Sequence, residues 1–276
     1  MNYVGMRIGQ SMPAIGIAQK LLNRSGARLV VDGAFGGKTK RAVRIFQLAH
    51  GLHPDGVIGK QTWPLLVSGL RLPIGDIVDM WNYHEPQEVL TDTFNSDKLP
   101  FTAMQPRSVG VEGIVGDMVR EYRGAGLFLL RLHGHGAPGR MMISGGWYSE
   151  SPLTESAFND PGVSAALRRF SEIMSPIGSI SINGCSVARG RAGNRMIQTL
   201  ATMTGFPVVA PVKAQWGGYS TTYFMEGPVR TAFPNPRMTL RDWCDELPEL
   251  PPLNASPHGL GAPTGYERVL QSMPAF

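Results

Sequence analysis

The sequence predicts a small all-α three-helix domain followed by an α/β domain with a mostly parallel sheet. Two observations carry this. First, one pattern, D-G-x-(apolar)-G-x-x-T, occurs at Asp32–Thr39 and again at Asp55–Thr62, set among apolar residues at helical spacing. Second, from Leu127 to Pro211 short apolar runs alternate with helical patterns in the order strand, helix, strand, helix, strand. That rhythm belongs to a parallel sheet. The predicted division is 1–70 and 71–276.

In the first region, Ile17, Leu21 and Leu22 share a helix face that stops at Gly26. Ala42, Val43, Phe46 and Ala49 form a second face before Gly51, and Thr62–Leu66 supplies a short third helix. Each Asp-Gly pair makes a tight turn, and the apolar residue after it drops into a core of Leu21, Phe35, Phe46, Ile58 and Trp63. The stretches AQKLLNRSG, VDGAFGGKTKRAVRIFQLAHGL and PDGVIGKQTWPLL resemble the peptidoglycan-binding module found at the ends of many cell-wall hydrolases. The resemblance implies peptidoglycan as a partner. Most of the signature residues build the fold, so the side chains within 14–66 that touch glycan or peptide stem are not identified. A plain interaction or folding domain is the alternative.

In the second region, Ile74–Trp81 is a first strand and residues 82–110 an irregular connection. Glu112–Tyr122 is a helix that buries Ile114, Val115, Met118 and Val119. Leu127 then opens an apolar strand, Met141–Trp147 is a short strand or hairpin arm, and Glu155–Met174 reads as one long, mostly helical stretch. A strand from Ser179, a helix from about Gly193 to Thr204 and a strand over Phe206–Pro211 complete the sheet. Residues 231–276, with Pro234, Pro236, Pro248, Pro251 and Pro252, read as a wrapping tail.

Two of these strands end at a glycine-flanked reactive residue, His135 and Cys185. Ligands of open α/β sheets sit at the carboxyl ends of the strands. If the two strands are neighbours, an imidazole and a thiol meet at one rim, the minimum for cysteine nucleophilic catalysis. The segments His135–Gly139, Asn183–Gly190 and Thr204–Ala210 follow HGxPG … GCxVAxG … TGxPVxA. They resemble the caspase-like cysteine peptidases, and in particular a bacterial caspase-like domain of uncharacterised activity, over residues 74–230. The resemblance implies a caspase-like sheet with Cys185 as nucleophile and His135 as general base and acid. It also implies Gly136 and Cys185 N–H groups as oxyanion donors, and a substrate cleft that includes Gln215, Trp216 and Tyr219. His133 lies two residues before His135 and points the same way along an extended strand, so it is a secondary candidate or an orienting neighbour.

Other readings of these residues stay open. His-x-His is half a zinc site, with Cys185, His258 or a carboxylate to complete a metal-dependent hydrolase, although no known metal motif has this spacing. A catalytically silent fold displaying a binding surface is the other. No cofactor is expected. The net charge of +5 is mild and no basic block is interleaved with aromatics, which argues against nucleic acid and is compatible with an anionic wall polymer. Two cysteines make no disulfide framework, and Cys244, in LRDWCDEL, reads as an inert core thiol. The first residues lack the pattern of a secretory signal, and no window suits a membrane span. The expected setting is therefore the bacterial envelope or periplasm, or secretion by a signal-peptide-independent route, for a chain cytoplasmic as synthesised, with a peptide or protein of the envelope as substrate.

Overall fold

The computed structural model describes residues 4–78, 103–104, 108, 110–143, 152–215, 225 and 227–250. They fall into two units, Leu72–Thr239 and the helical residues on either side of it in sequence.

The helical unit begins with α1 (Pro13–Arg24), α2 (Gly37–Ala49) and α3 (Thr62–Leu66). Pro13 occupies the first turn of α1, where no amide hydrogen is needed. Leu21, Phe35, Phe46, Ile58 and Trp63 are all buried, as the periodicity requires. The repeat in sequence is a repeat in hydrogen bonding. Buried Gln19 donates to Asp32 Oδ1 (2.8 Å), the Ala34 carbonyl (3.0 Å) and Thr39 Oγ1 (3.2 Å), and accepts from the Asp32 and Gly33 amides. Gln47 does the same for the second copy, reaching Asp55 Oδ1 (2.7 Å), the Val57 carbonyl (3.0 Å) and Thr62 Oγ1 (3.0 Å), and accepting from Gly56 N–H. Gly33 and Gly56 sit at φ of 71° and 75°, a left-handed conformation that costs glycine little.

The second unit holds a six-stranded sheet. Its strands are β1 (Ile74–Val78), β2 (Ala103–Met104), β3 (Leu127–His133), β7 (Met174–Asn183), β8 (Val208–Pro211) and β9 (Val229–Ala232). Their order is β2-β1-β3-β7-β8-β9, parallel throughout except for the β8–β9 pair. A small antiparallel sheet of β4 (Gly136–Ala137), β5 (Arg140–Met142) and β6 (Pro152–Thr154) follows β3. Helices α4 (Gly110–Tyr122), α5 (Pro161–Arg168) and α6 (Gly190–Thr204) are the crossover elements. Ile114, Met118, Leu167, Ile197 and Leu200 bury against Leu130, Leu132, Ile180 and Ile182, alternate residues of β3 and β7. This mostly parallel α/β arrangement is the architecture expected from the sequence.

Two elements differ from that expectation. Glu155–Met174 is not one long helix. A 3₁₀ turn at Ala157–Asn159 precedes α5, another at Arg169–Glu172 follows it, and Met174 already belongs to β7. Pro161 restarts the helix, and Asp160 caps it by accepting from the Gly162 and Val163 amides at 2.8 and 3.1 Å. The end of the chain differs too. Residues 229–232 are an edge strand, while α7 (Leu240–Asp245) packs on α1 in the helical unit. There Cys244 lies so close to Gly16 that a β-carbon on Gly16 would stand 2.6 Å from its sulfur. Lys20 pairs with Glu249 at 2.9 Å. Residues 240–250, expected to belong with 71–239 as part of a Pro-rich wrapping tail, thus join the helical unit, because Trp243, Cys244 and Leu247 bury their apolar surface there.

Candidate active site

β3 and β7 are adjacent and parallel, with His133 opposite Asn183. Their carboxyl ends therefore leave the sheet side by side, and the loops carrying His135 and Cys185 start together. The two loops touch through backbone. A β-carbon at Gly136 would stand 2.8 Å from the Cys185 amide nitrogen and 2.6 Å from Val187 Cγ2, so only glycine allows this approach. Gly139 N–H also donates to the Val187 carbonyl at 2.9 Å. Met142 N–H donates to the His135 carbonyl (2.8 Å), which puts Gly136 opposite Met141 at a non-hydrogen-bonded register position. The hairpin ladder makes no use of the Gly136 amide hydrogen.

The Cys185 turn is tied to the chain that follows β8. Ser186 N–H donates to the Lys213 carbonyl (2.9 Å) and Ala188 N–H to that of Pro211 (3.0 Å). Ser186 takes a φ of 56°, a left-handed conformation uncommon outside glycine. The half-buried Cys185 thiol donates to the Gln215 carbonyl at 3.5 Å, and Gln215 N–H donates to its sulfur at 3.3 Å. Helix α6 begins at Gly190, so the turn Ser186–Arg189 separates the sulfur from the helix N-terminus, where a helix start near Gly193 was expected. His135 is exposed. Trp216, Tyr219 and His258 lie outside the described residues.

His133 has a different setting. It is 3% exposed, and its Nε2 lies 2.8 Å from Asp76 Oδ1. Arg131 donates through Nε to Asp76 Oδ1 (2.7 Å) and through Nη2 to Oδ2 (3.0 Å). On the other side, Asn183 Nδ2 is 3.3 Å from His133 Nδ1, and Ser181 Oγ donates to Asn183 Oδ1 at 2.8 Å. The Tyr122 hydroxyl, pushed up to about 12 chiefly by burial, accepts from the Asp76 amide and donates to its carbonyl. Burial by itself would raise the Asp76 carboxyl, but Arg131 and the His133 hydrogen bond outweigh it and hold the group below its ordinary value. Burial holds His133 below the usual imidazole value, against the pull of Asp76. These side chains occupy one face of β1, β3 and β7, since Asp76, Arg131 and Ser181 are register partners.

That network was not singled out from sequence, though a signal exists. In Leu130-Arg131-Leu132-His133 two ionisable residues recur at period two inside an apolar strand. Among the described residues no group of three or more His, Cys, Asp or Glu side chains is gathered as a metal site. Both ring nitrogens of His133 are engaged in hydrogen bonds, which does not suit a metal shared by His133 and His135.

Residues 11–66 match the peptidoglycan binding domain family PG_binding_1. The N-terminal helices form a peptidoglycan-binding domain. Residues 85–220 match a domain of unknown function, DUF4347. A zinc D-Ala-D-Ala carboxypeptidase of Streptomyces albus G is 51% identical over 39 residues, 14% of this chain and 15% of that protein. An uncharacterized protein in the bpoA1 3′ region of Kitasatospora aureofaciens is 56% identical over 36 residues, 13% of this chain and 30% of that one. A peptidoglycan-binding protein of Clostridioides difficile, solved with glutamine hydroxamate, is 40% identical over 22% of this chain and 39% of its own, with a TM-score of 0.22. The chain thus spans less than a third of the curated relatives it matches. Among the described residues no helix is long and apolar enough to cross a membrane.

Proposed function

We propose that this chain is a wall-targeted cysteine hydrolase of caspase-like fold, most specifically a peptidase that cleaves a peptide or protein of the bacterial envelope. The observation that carries the reading is the backbone contact of Gly136 with Cys185, which joins the two strand-end loops at one rim. His135 takes the proton of the Cys185 thiol, and the thiolate attacks the scissile carbonyl carbon. The Gly136 and Cys185 amides donate to the oxyanion. The C–N bond then breaks, His135 returns its proton to the departing amine, and water hydrolyses the thioester to free acid and thiol. Gln215, whose backbone lies against the sulfur, lines the cleft. The binding domain raises the local concentration of the enzyme at its polymer. A relative named a zinc D-Ala-D-Ala carboxypeptidase, 51% identical over a 39-residue stretch, supports a wall setting. A secreted effector or toxin fits the same reading.

The test compares wild type with Cys185→Ala on purified peptidoglycan and on periplasmic protein extracts. Wild type releases peptides in one assay, and the variant loses roughly 10⁴-fold or more. His135→Ala loses roughly 10²–10⁴-fold. One observation favours a second reading, a catalytically silent binding protein: the Gln215 backbone occupies both hydrogen-bonding sides of the sulfur. Equal behaviour of wild type and Cys185→Ala in both assays selects it.

A further inference from the structure

The dyad leaves Asp76, Arg131, His133, Ser181 and Asn183 at the same strand ends without a task. Their hydrogen bonds fix one another's orientation. Ser181 donates to Asn183 Oδ1 (2.8 Å), which turns the Asn183 amide hydrogens toward His133. His133 Nδ1 then accepts (3.3 Å), so the ring proton belongs on Nε2, which donates to Asp76 (2.8 Å). Arg131 closes the chain with a two-point grip on the same carboxylate. A neutral ring engaged in this way has no lone pair left for a thiol proton. Nor is a buried ion pair generally more stabilising than apolar side chains of equal volume, so geometry is the better account of its presence. Asn183 precedes Cys185 by two residues, and Gly184 between them abuts Gly136.

We infer that His133 and Asn183 are positioning residues: His133, anchored on Asp76 and Arg131, holds the Asn183 side chain and so sets the direction in which the Gly184–Cys185 turn leaves β7. The catalytic meaning of that direction rests on the dyad proposed above. The hydrogen-bonded chain itself does not.

The test follows iodoacetamide modification of Cys185 in the full chain, separated from Cys244 by mass spectrometry, from about pH 5 to 9. Thermal unfolding is recorded for every variant. His133→Leu and Asn183→Ala slow Cys185 roughly tenfold or more and change its pH profile, as a displaced turn must. His133→Gln, which donates to Asp76 and accepts from Asn183 as the ring does, stays within about threefold of wild type with the profile kept. Folded His133→Leu and Asn183→Ala that react like wild type overturn the inference. So does a His133→Gln profile matching that of His135→Ala, since His133 would then be the proton acceptor. If His135→Ala alone leaves the profile intact, the dyad falls while the positioning role stands. Should His133→Leu fail to fold, Asn183→Ala, at a half-buried position, decides.

Discussion

Cys185 and Cys244 are the same residue type in opposite settings. Cys244 is 1% exposed, and burial, reinforced by Asp32 and Asp245, pushes its thiol up to about 12. Cys185 is half-buried in the turn just after β7. Iodoacetamide near neutral pH is therefore expected to modify Cys185 at least ~100-fold faster than Cys244 in the folded chain, read by mass spectrometry. The His133–Asp76 pair makes a separate prediction for stability. Both groups are held below their ordinary values, so each contributes stability that is present above its unfolded value and lost as pH falls through its folded one. The loss from His133 begins below about pH 6.5 and that from Asp76 below about pH 3.9. Urea midpoints of His133→Gln should consequently fall less than those of wild type between about pH 6.5 and 4. Asp76→Ala removes the carboxylate that buried Arg131 grips at two points and should cost about 3–5 kcal/mol.

At the scale of elements, the α1–α7 contact depends on a missing side chain. Gly16→Ala would bring a β-carbon to 2.6 Å from Cys244 Sγ, inside contact distance. The expected cost is about 1–3 kcal/mol by denaturant unfolding. In a Cys244→Ala background the clash disappears, and the helix preference for alanine over glycine, about 1 kcal/mol, should emerge instead. The twin glutamine hubs answer to the same reasoning. Gln19→Ala strands the buried Gly33 amide, along with the half-buried one of Asp32, and Gln47→Ala strands that of buried Gly56, at about 1–3 kcal/mol per buried group. The turns of this repeat were legible from the spacing of Asp, Gly and Thr, because turn chemistry is local. The glutamines lie 13 and 8 residues before their aspartates, unequal separations that no fixed spacing reveals.

For the molecule as a whole, the helical unit is built from both ends of the described chain, and the α/β unit is inserted between them. Removing residues 240–276 should lower the stability of the peptidoglycan-binding domain by roughly 3 kcal/mol or more, since Trp243, Cys244 and Leu247 lose their burial. Differential scanning calorimetry of the truncated and full chains checks this. An unchanged transition for the helical unit would mean that α7 adds nothing to it.

By itself the sequence determined the helices of the binding domain, its core, the strands β3, β7 and β8 and the two glycine-flanked strand ends. All of these depend on near neighbours in the chain: apolar period, turn glycines and the stiffness of proline. The tertiary structure alone decided which strands lie side by side, and that α7 belongs with α1. It alone set Asp76, Arg131, His133 and Asn183 within hydrogen-bond reach across three strands. Those contacts join residues about fifty positions apart, and burial in a shared interior, which local pattern does not encode, is what selects them.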